Sequence, residues 1–367
     1  MDKKDIYLYI KSIKGISSIT LGKIIDEVGS IEEIVKLNEK DIYNLKNISL
    51  NIKENLVKYI SRFNLDEIKE TLYKESIQYI CIEDEEYPKN LKNIYNPPLL
   101  LFYKGDLSII NNSLNIAMVG SRKPTSYGIY CAERFSYELS EKNVNIVSGI
   151  ALGIDSCCHR GCMKGKSKTI AVLASPLNNI RPSSNSVIAH EILEDGGVIL
   201  SEYNLNHPVT RGNFPQRNRI ISGISDGVIV VEAAEKSGAL ITADLALDQG
   251  KNVFAIPGNI NSKMSKGCHK IIKEGAKLIE NIEDILDEYS NAGFNNKISI
   301  EYDIKDLNDL SNESLKIIHA IKDNGILQIN EICDNTGMDI KMVNSIINEL
   351  LLKDLVVEMN NKMYSIN

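Results

Sequence analysis

Ile116-Ala117-Met118-Val119-Gly120-Ser121-Arg122, followed after one helical stretch by Asn145-Ile146-Val147-Ser148-Gly149, decides the fold. Each run is short, mostly apolar and closed by small residues, as a strand buried on both faces should be. The intervening Tyr127–Lys142 stretch has helical spacing. The pattern repeats outward. Thr169–Leu173, Val198–Leu200, Val228–Val231 and Val253–Ile256 are further candidate strands, and Ile154–Lys164 and Ala239–Gln249 are further helical stretches. Strand–helix alternation of this kind predicts an α/β fold with a doubly wound, mostly parallel sheet. Ligands bind such sheets at the carboxyl ends of the strands. The glycines and hydroxyls stand there: Gly120-Ser121-Arg122, Ser148-Gly149, Ser201-Glu202, Glu232 to Gly238, and Pro257-Gly258.

Two flanking regions differ from this centre. Residues 1–75 read as a small all-α domain, with apolar positions at helical spacing around Ile10, Ile13, Ile24, Ile34 and Leu45. Residues 80–290 hold the sheet. Residues 291–312 are polar and read as a linker, and 313–367 as a compact final domain. There, Ile329–Thr336, a turn at Gly337, Ile340–Lys353 and a hairpin of Leu355–Met359 with Met363–Ile366 resemble a winged helix.

Composition narrows the function. The chain has 367 residues, 43% apolar and 25% charged, ordinary for a soluble globular protein of two or three domains. No apolar run has the ~18 residues of a membrane span, and Met1-Asp2-Lys3-Lys4-Asp5 opens a mixed helix instead of a signal peptide. Seven cysteines without scaffold spacing predict reduced thiols and a cytoplasmic setting. Net charge is −7, yet residues 121–220 carry 12 Lys+Arg against 8 Asp+Glu. Seven of the eight arginines lie between Arg122 and Arg219, whereas lysines run throughout. A lysine-rich chain that keeps arginine in one region points to planar, bidentate recognition of phosphate or carboxylate there.

Individual segments sharpen that reading. Gly120 allows close backbone approach, Ser121 and the amides behind it can cradle a phosphate, and Arg122 adds a charged fork. Ser148-Gly149-Ile150-Ala151-Leu152-Gly153-Ile154-Asp155 lacks the G-x-G-x-x-G dinucleotide fingerprint, which argues against NAD. Asp155 and His159 share a helix face, either as an orienting pair or as a helix-start cap beside a satisfied buried histidine. Cys157, Cys158, His159 and Cys162 lack a second ligand pair and read as buried thiols. Arg211-Gly212-Asn213-Phe214-Pro215-Gln216-Arg217-Asn218-Arg219 reads as a loop. In it Arg211 takes a phosphate and Phe214 stacks a base. Of Arg217 and Arg219, one is expected to hold a carboxylate such as Glu202 or Glu232. Ser237 caps the next helix and Gly238 opens its amides to an anion. No nucleophile–His–Asp set, metal triad or paired acid and base is visible, so the site reads as a binder without cofactor or metal.

Taken together, these blocks resemble the DprA/Smf family of DNA-processing proteins. The resemblance runs from Tyr87-Pro88 to Ala276 through Pro97-Pro98-Leu99-Leu100, Val119-Gly120-Ser121-Arg122, Ser148-Gly149 to Asp155, Phe214-Pro215-Gln216-Arg217-Asn218-Arg219, Val231-Glu232-Ala233, Ser237-Gly238 and Pro257-Gly258. It implies an extended Rossmann-like domain that binds single-stranded DNA, dimerises, and delivers RecA recombinase onto strands coated by single-strand-binding protein during transformation. It implies DNA contacts at Gly120, Ser121, Arg122, Ser148, Gly149, Arg211, Phe214, Arg217 and Gly238. Two departures stand out. Ala174-Ser175-Pro176 and Ile180-Arg181-Pro182 replace the usual glycine and Tyr-Pro, with Arg181 as a substitute contact, and His269 replaces an asparagine. Lys14-Gly15-Ile16-Ser17 resembles a helix-hairpin-helix turn. A phosphoribohydrolase of the lysine-decarboxylase-like group and a nucleotide-sensing module are the competing readings. The first lacks its Pro-Gly-Gly-x-Gly-Thr-x-x-Glu motif here.

Overall fold

The computed structural model describes residues 2–13, 15–60, 65–205, 207–290, 311–324, 326–352, 355–359 and 363–366. Lys14, Lys353 and most of the expected 291–312 linker lie outside the described residues. Two compact units form, Met1–Ser299 and Ile300–Asn367.

The first unit opens with helices α1 (Lys3–Ser12), α2 (Ser18–Val28), α3 (Ile31–Ile34), α4 (Glu39–Asn44), α5 (Leu50–Ile60) and α6 (Leu65–Lys74). Then come β1 (Gln78–Cys81), α7 (Lys89–Lys92), β2 (Leu100–Gly105), α8 (Ile109–Asn112), β3 (Asn115–Gly120), α9 (Ser126–Glu141), β4 (Asn145–Ser148) and α10 (Ile154–Cys162). The chain continues through β5 (Thr169–Leu173), α11 (Ser186–Glu194), β6 (Val198–Ser201), α12 (Asn213–Ile224), β7 (Gly227–Glu232), α13 (Gly238–Asp248), β8 (Asn252–Ala255), α14 (Lys266–Lys273), β9 (Lys277–Leu278) and α15 (Glu283–Ser290).

All six expected strands form. The sheet order is β1-β2-β6-β5-β4-β3-β7-β8-β9. From β6 to β9 every pairing is parallel, while β1, β2 and β6 pair antiparallel. The chain winds outward from β3 to β6 and then returns to lay β7 on the other side of β3. That reversal is the topological switch point, where an open α/β sheet forms its ligand crevice.

β3 shows why these runs are strands. Ile116 and Met118 pack on one face with Phe135 and Leu139 of α9, and Ala117 and Val119 on the other with Ile220 of α12 and Ala243 of α13. An alternating chain with both faces buried has no use for polar side chains. Each fully buried isoleucine contributes about 1.5–3 kcal/mol. A third cluster runs from Leu8, Ile10 and Leu21 to Phe102, Leu173 and Ile192, so the N-terminal helices share a core with the sheet.

The second unit contains α16 (Asn312–Asn324), β10 (Leu327–Gln328), α17 (Ile329–Thr336), α18 (Ile340–Leu352), β11 (Val356–Met359) and β12 (Met363–Ile366). Its strands order as β10-β12-β11, antiparallel throughout. Gly337 ends α17 at φ 70°, the left-handed cap that lets α18 start at once. Ile317, Ile332, Val343, Ile347 and Leu350 fill its core.

Candidate nucleic-acid interface

The crevice at the switch point is a cleft of about 540 Å³. Gly120, Ser121 and Arg122 line it from the end of β3, and Ala234, Ser237 and Gly238 from the turn between β7 and α13. Arg211, Phe214, Pro215, Arg217 and Asn218 form the facing wall, and Met264 and Ile241 add apolar surface.

The β3–α9 turn is held at both ends by Glu232. Its carbonyl accepts from Ser121 N at 2.8 Å, and its carboxylate accepts from Thr125 N at 2.9 Å and Thr125 Oγ1 at 2.7 Å. Glu232 is therefore neither a free base nor an arginine partner. Thr125 in turn caps α9 by accepting from Gly128 N at 3.2 Å. Below the turn, Ser121 O accepts from Ile154 N at 3.1 Å. Gly153 makes that approach possible: it sits at φ 83°, and a Cβ there would lie 2.4 Å from Ser121 O. The turn thus leaves Arg122 exposed on a fixed base.

The facing wall corrects the sequence reading. Residues 213–224 are helix α12, not a loop. Pro215 is tolerated because it lies in the first turn, where no intrahelical donor is lost. Asn213 anchors the helix start. Its Nδ2 donates to Ala174 O at 3.2 Å, its Oδ1 accepts from Thr210 Oγ1 at 2.6 Å, and its carbonyl accepts from Tyr203 Oη at 3.2 Å. Sequence reading missed this residue. The signal was there in Asn213, Arg217, Ile220, Ile221 and Ile224, all buried at helical spacing. Phe214 is half-buried on the cleft side, and the Arg122 guanidinium lies 5.2 Å from its ring centre.

Arg217 is a second correction. It lies at the cleft floor but is 4% exposed, and its Nη1 donates to Gly149 O at 2.7 Å and also to Val172 O. Burial pushes its pKa down to about 10. This fork ties the ends of β4 and β5 together from its place at the cleft floor. Arg219 is structural too: its Nη2 meets Glu202 Oε2 at 2.6 Å. Both arginines thus serve the fold, where the sequence suggested one.

Three of the expected contacts are not brought to the cleft. Ser148 is fully buried and donates to Met118 O at 2.7 Å. Gly149 is buried against Arg217, whose guanidinium occupies the place of a Cβ at 2.5 Å. Arg181 is exposed on the loop after β5 and bonds Asn179 Oδ1 at 3.1 Å. Gly120 does line the cleft, but its missing Cβ makes room for Ile154 at 2.7 Å, a packing reason for the glycine.

Asp155 and His159 do not meet as a pair. Asp155 accepts from Gly149 N at 3.1 Å and Ala151 N at 3.2 Å, shaping the β4–α10 turn. Burial lifts its carboxyl above the usual range, against the pull of Arg217. His159 Nδ1 bonds Thr169 Oγ1 at 2.6 Å, and burial pushes its pKa down to about 3. Cys158 and Cys162 are fully buried, and burial pushes the Cys162 thiol up to about 11. Among the described residues no group of His, Cys, Asp and Glu is arranged to hold a metal, and no helix is long and apolar enough to cross a membrane. His269 Nε2 bonds Gly258 O at 3.0 Å and so steadies the loop after β8.

The switch-point cleft of this Rossmann-like sheet thus brings exposed arginines and an aromatic ring together. Comparison with known proteins identifies the family. The family described as DNA recombination-mediator protein A matches residues 78–290, and this chain belongs to it. It is 42% identical over 215 residues to the DNA processing protein DprA of Bacillus subtilis, covering 59% of this chain and 72% of that one. The crystal structure of DprA from Streptococcus pneumoniae superposes with a TM-score of 0.68 at 33% identity, covering 78% of this chain and 99% of that one. DprA of Helicobacter pylori, whose structure was described for its single-stranded DNA binding mode, superposes at 0.53 with 32% identity, covering 58% and 96%.

Proposed function

We propose that this protein binds single-stranded DNA without sequence preference in the switch-point cleft, and does so without turning the strand over. One observation carries the reading: two exposed arginines, Arg122 and Arg211, share a single cleft with Phe214, and Arg122 stands over its ring. Arginines neutralise successive phosphates while the ring stacks a base, and such stacking tolerates any sequence. The Helicobacter pylori relative, described for this ligand, supports the same assignment. Ser121 after β3 and the amides around Gly238 at the start of α13 serve as further phosphate contacts.

Further steps follow the family's role. The bound strand is protected and handed to RecA during transformation or recombination. The protein works as a homodimer alongside single-strand-binding protein, in the cytoplasm, where its seven free cysteines stay reduced. The C-terminal unit acts as a winged-helix module. On α18, exposed Lys341 is offset by exposed Glu349, which favours a protein partner over a DNA groove.

The test is fluorescence anisotropy with labelled oligothymidine and with its duplex across a salt series. Tight, salt-sensitive binding that favours the single strand is expected. No binding at low salt, or equal binding of the duplex, would overturn the reading.

A further inference from the structure

We propose that the cleft continues into a second nucleotide subsite, a stacking platform at Tyr127 rimmed by Lys123, Lys236, Lys263 and Lys266, which takes the same single strand as it leaves the cleft. This rests on the single-strand reading above.

The topology collects these residues. β3, β7 and β8 are neighbours in the sheet, so the segments after their carboxyl ends lie side by side. Contacts between them are direct. Gly267 N donates to Ala233 O at 2.8 Å, joining the segment after β8 to the turn after β7. Met264, from the segment after β8, lines the cleft with its sulfur 3.8 Å from Ser121 Oγ. Each segment carries lysine: Lys123 after β3, Lys236 after β7, and Lys263 with Lys266 after β8. All four are exposed, and among the described residues none enters an ion pair. Glu235 is the one acid that these three segments bring to the rim. On a chain of net charge −7, four cations against one acid beside the cleft mark a path for further phosphates.

Tyr127 adds the second element. It lies in the first turn of α9 and is 47% exposed. Its hydroxyl donates to Pro257 O at 2.7 Å, and Tyr127 Cε1 lies 3.8 Å from where a Gly258 Cβ would be. The ring is thus tied at its edge to the segment that brings Lys263, with surface left open to solvent. A tethered aromatic surface among exposed cations is the combination that holds unstacked bases and their backbone.

The test compares oligothymidines of roughly 6 and roughly 20 nucleotides, lengths chosen to fill one site or to run past it. The full-length protein is compared with a Lys123→Ala/Lys263→Ala/Lys266→Ala variant, with Tyr127→Ala and with Tyr127→Phe. The expected result is unchanged affinity for the short strand in every variant. For the long strand, the lysine variant weakens and its salt slope falls by about 0.7 in magnitude for each phosphate no longer neutralised. Tyr127→Ala weakens long-strand binding by roughly 5-fold or more at unchanged slope, and Tyr127→Phe, which keeps the ring, restores it. Wild-type protein that binds both lengths with one affinity and one slope would overturn the subsite, as would a lysine variant that holds the long strand as tightly as wild type. Absence of binding at both lengths would overturn the cleft reading and the subsite with it.

Discussion

The Arg122 guanidinium stands over the Phe214 ring, 5.2 Å from its centre, and so joins the two walls of the cleft. Arg122 leaves the end of β3, whereas Phe214 sits in the first turn of α12. The sequence had paired the ring with Arg211, its neighbour in the chain. A cation over an aromatic face gains about 0.5–2 kcal/mol, more as water is excluded. In the proposed function the ring therefore has two tasks in the cleft, fixing the Arg122 fork and offering surface to a base.

Coupling between the two residues should be measurable in binding. Arg122→Ala is expected to weaken single-strand binding and lower the salt slope by about 0.7 in magnitude. Phe214→Ala is expected to cost about 1–3 kcal/mol of affinity with the slope unchanged. In the double variant the losses should fall short of their sum by about 0.5–2 kcal/mol, the energy the pair shares. Anisotropy titrations of the four proteins give the cycle. Strictly additive losses would mean that ring and guanidinium act apart.

Gly238 separates binding from folding. A Cβ at this first residue of α13 would meet nothing within 4 Å, and alanine suits a helix better than glycine by up to about 1 kcal/mol. Gly238→Ala should therefore melt no lower than wild type. If a phosphate rests on the helix amides, the added methyl should weaken binding by roughly ten-fold, the equivalent of one charge-assisted hydrogen bond. Gly120→Ala is the contrast, because its methyl would lie 2.7 Å from Ile154 Cγ1 and lower the melting temperature. Full affinity in Gly238→Ala would remove the α13 amides from the site.

Glu202 binds the N-terminal helices to the cleft wall. It is 8% exposed, accepts from Ser18 Oγ at 2.6 Å, and lies 3.7 Å from Lys11 Nζ and 2.6 Å from Arg219 Nη2. Burial pushes Glu202 upward, yet Lys11, Arg219 and Ser18 hold it below the usual carboxylate range. Glu202→Gln would leave two cations around a neutral group. The expected loss is about 3–5 kcal/mol of stability, read as a lower denaturant midpoint at pH 7. Replacing Lys11, Glu202 and Arg219 together by Met, Leu and Met should recover most of it. A Glu202→Gln protein as stable as wild type would show that the network carries no net charge interaction.

How far the sequence could be read follows from these same residues. β3 to β8 were legible because strands buried on both faces leave short apolar runs between helices. β1 and β2 were not, since Gln78-Tyr79 and Tyr103-Lys104-Gly105 break the apolar pattern at the antiparallel edge. α12 escaped because Gly212, Asn213 and Pro215 carry loop chemistry, although they only open the helix. The division of labour among arginines was hidden for a related reason. Helical geometry turns Arg217 inward with Asn213 and leaves Phe214 toward the cleft, a distinction that vanishes when the stretch is read as a loop. Arg122, Ser121 and Gly238 were legible because they follow strand ends at the switch point, where topology alone sets their place.

His159 gives the fold a pH dependence that can be signed in advance. Its Nδ1 donates to Thr169 Oγ1, which itself donates to Ile146 O at 3.0 Å, so the proton sits on Nδ1. Nε2 is buried without a partner, and a second proton there would find no acceptor. Burial first, and Arg217 second, push the pKa from 6.5 down to about 3. Between these values the unfolded chain takes a proton that the native state refuses. Stability is therefore fully present well above pH 6.5 and falls as pH drops through it, approaching about 1.4 kcal/mol per unit near pH 5. Denaturant unfolding between pH 7 and pH 5 should show that fall steepening toward pH 5 in wild type and a shallower fall in His159→Gln, whatever the variant's stability at neutral pH. Equal slopes in the two proteins would mean that His159 accepts its proton in the folded state as readily as in water.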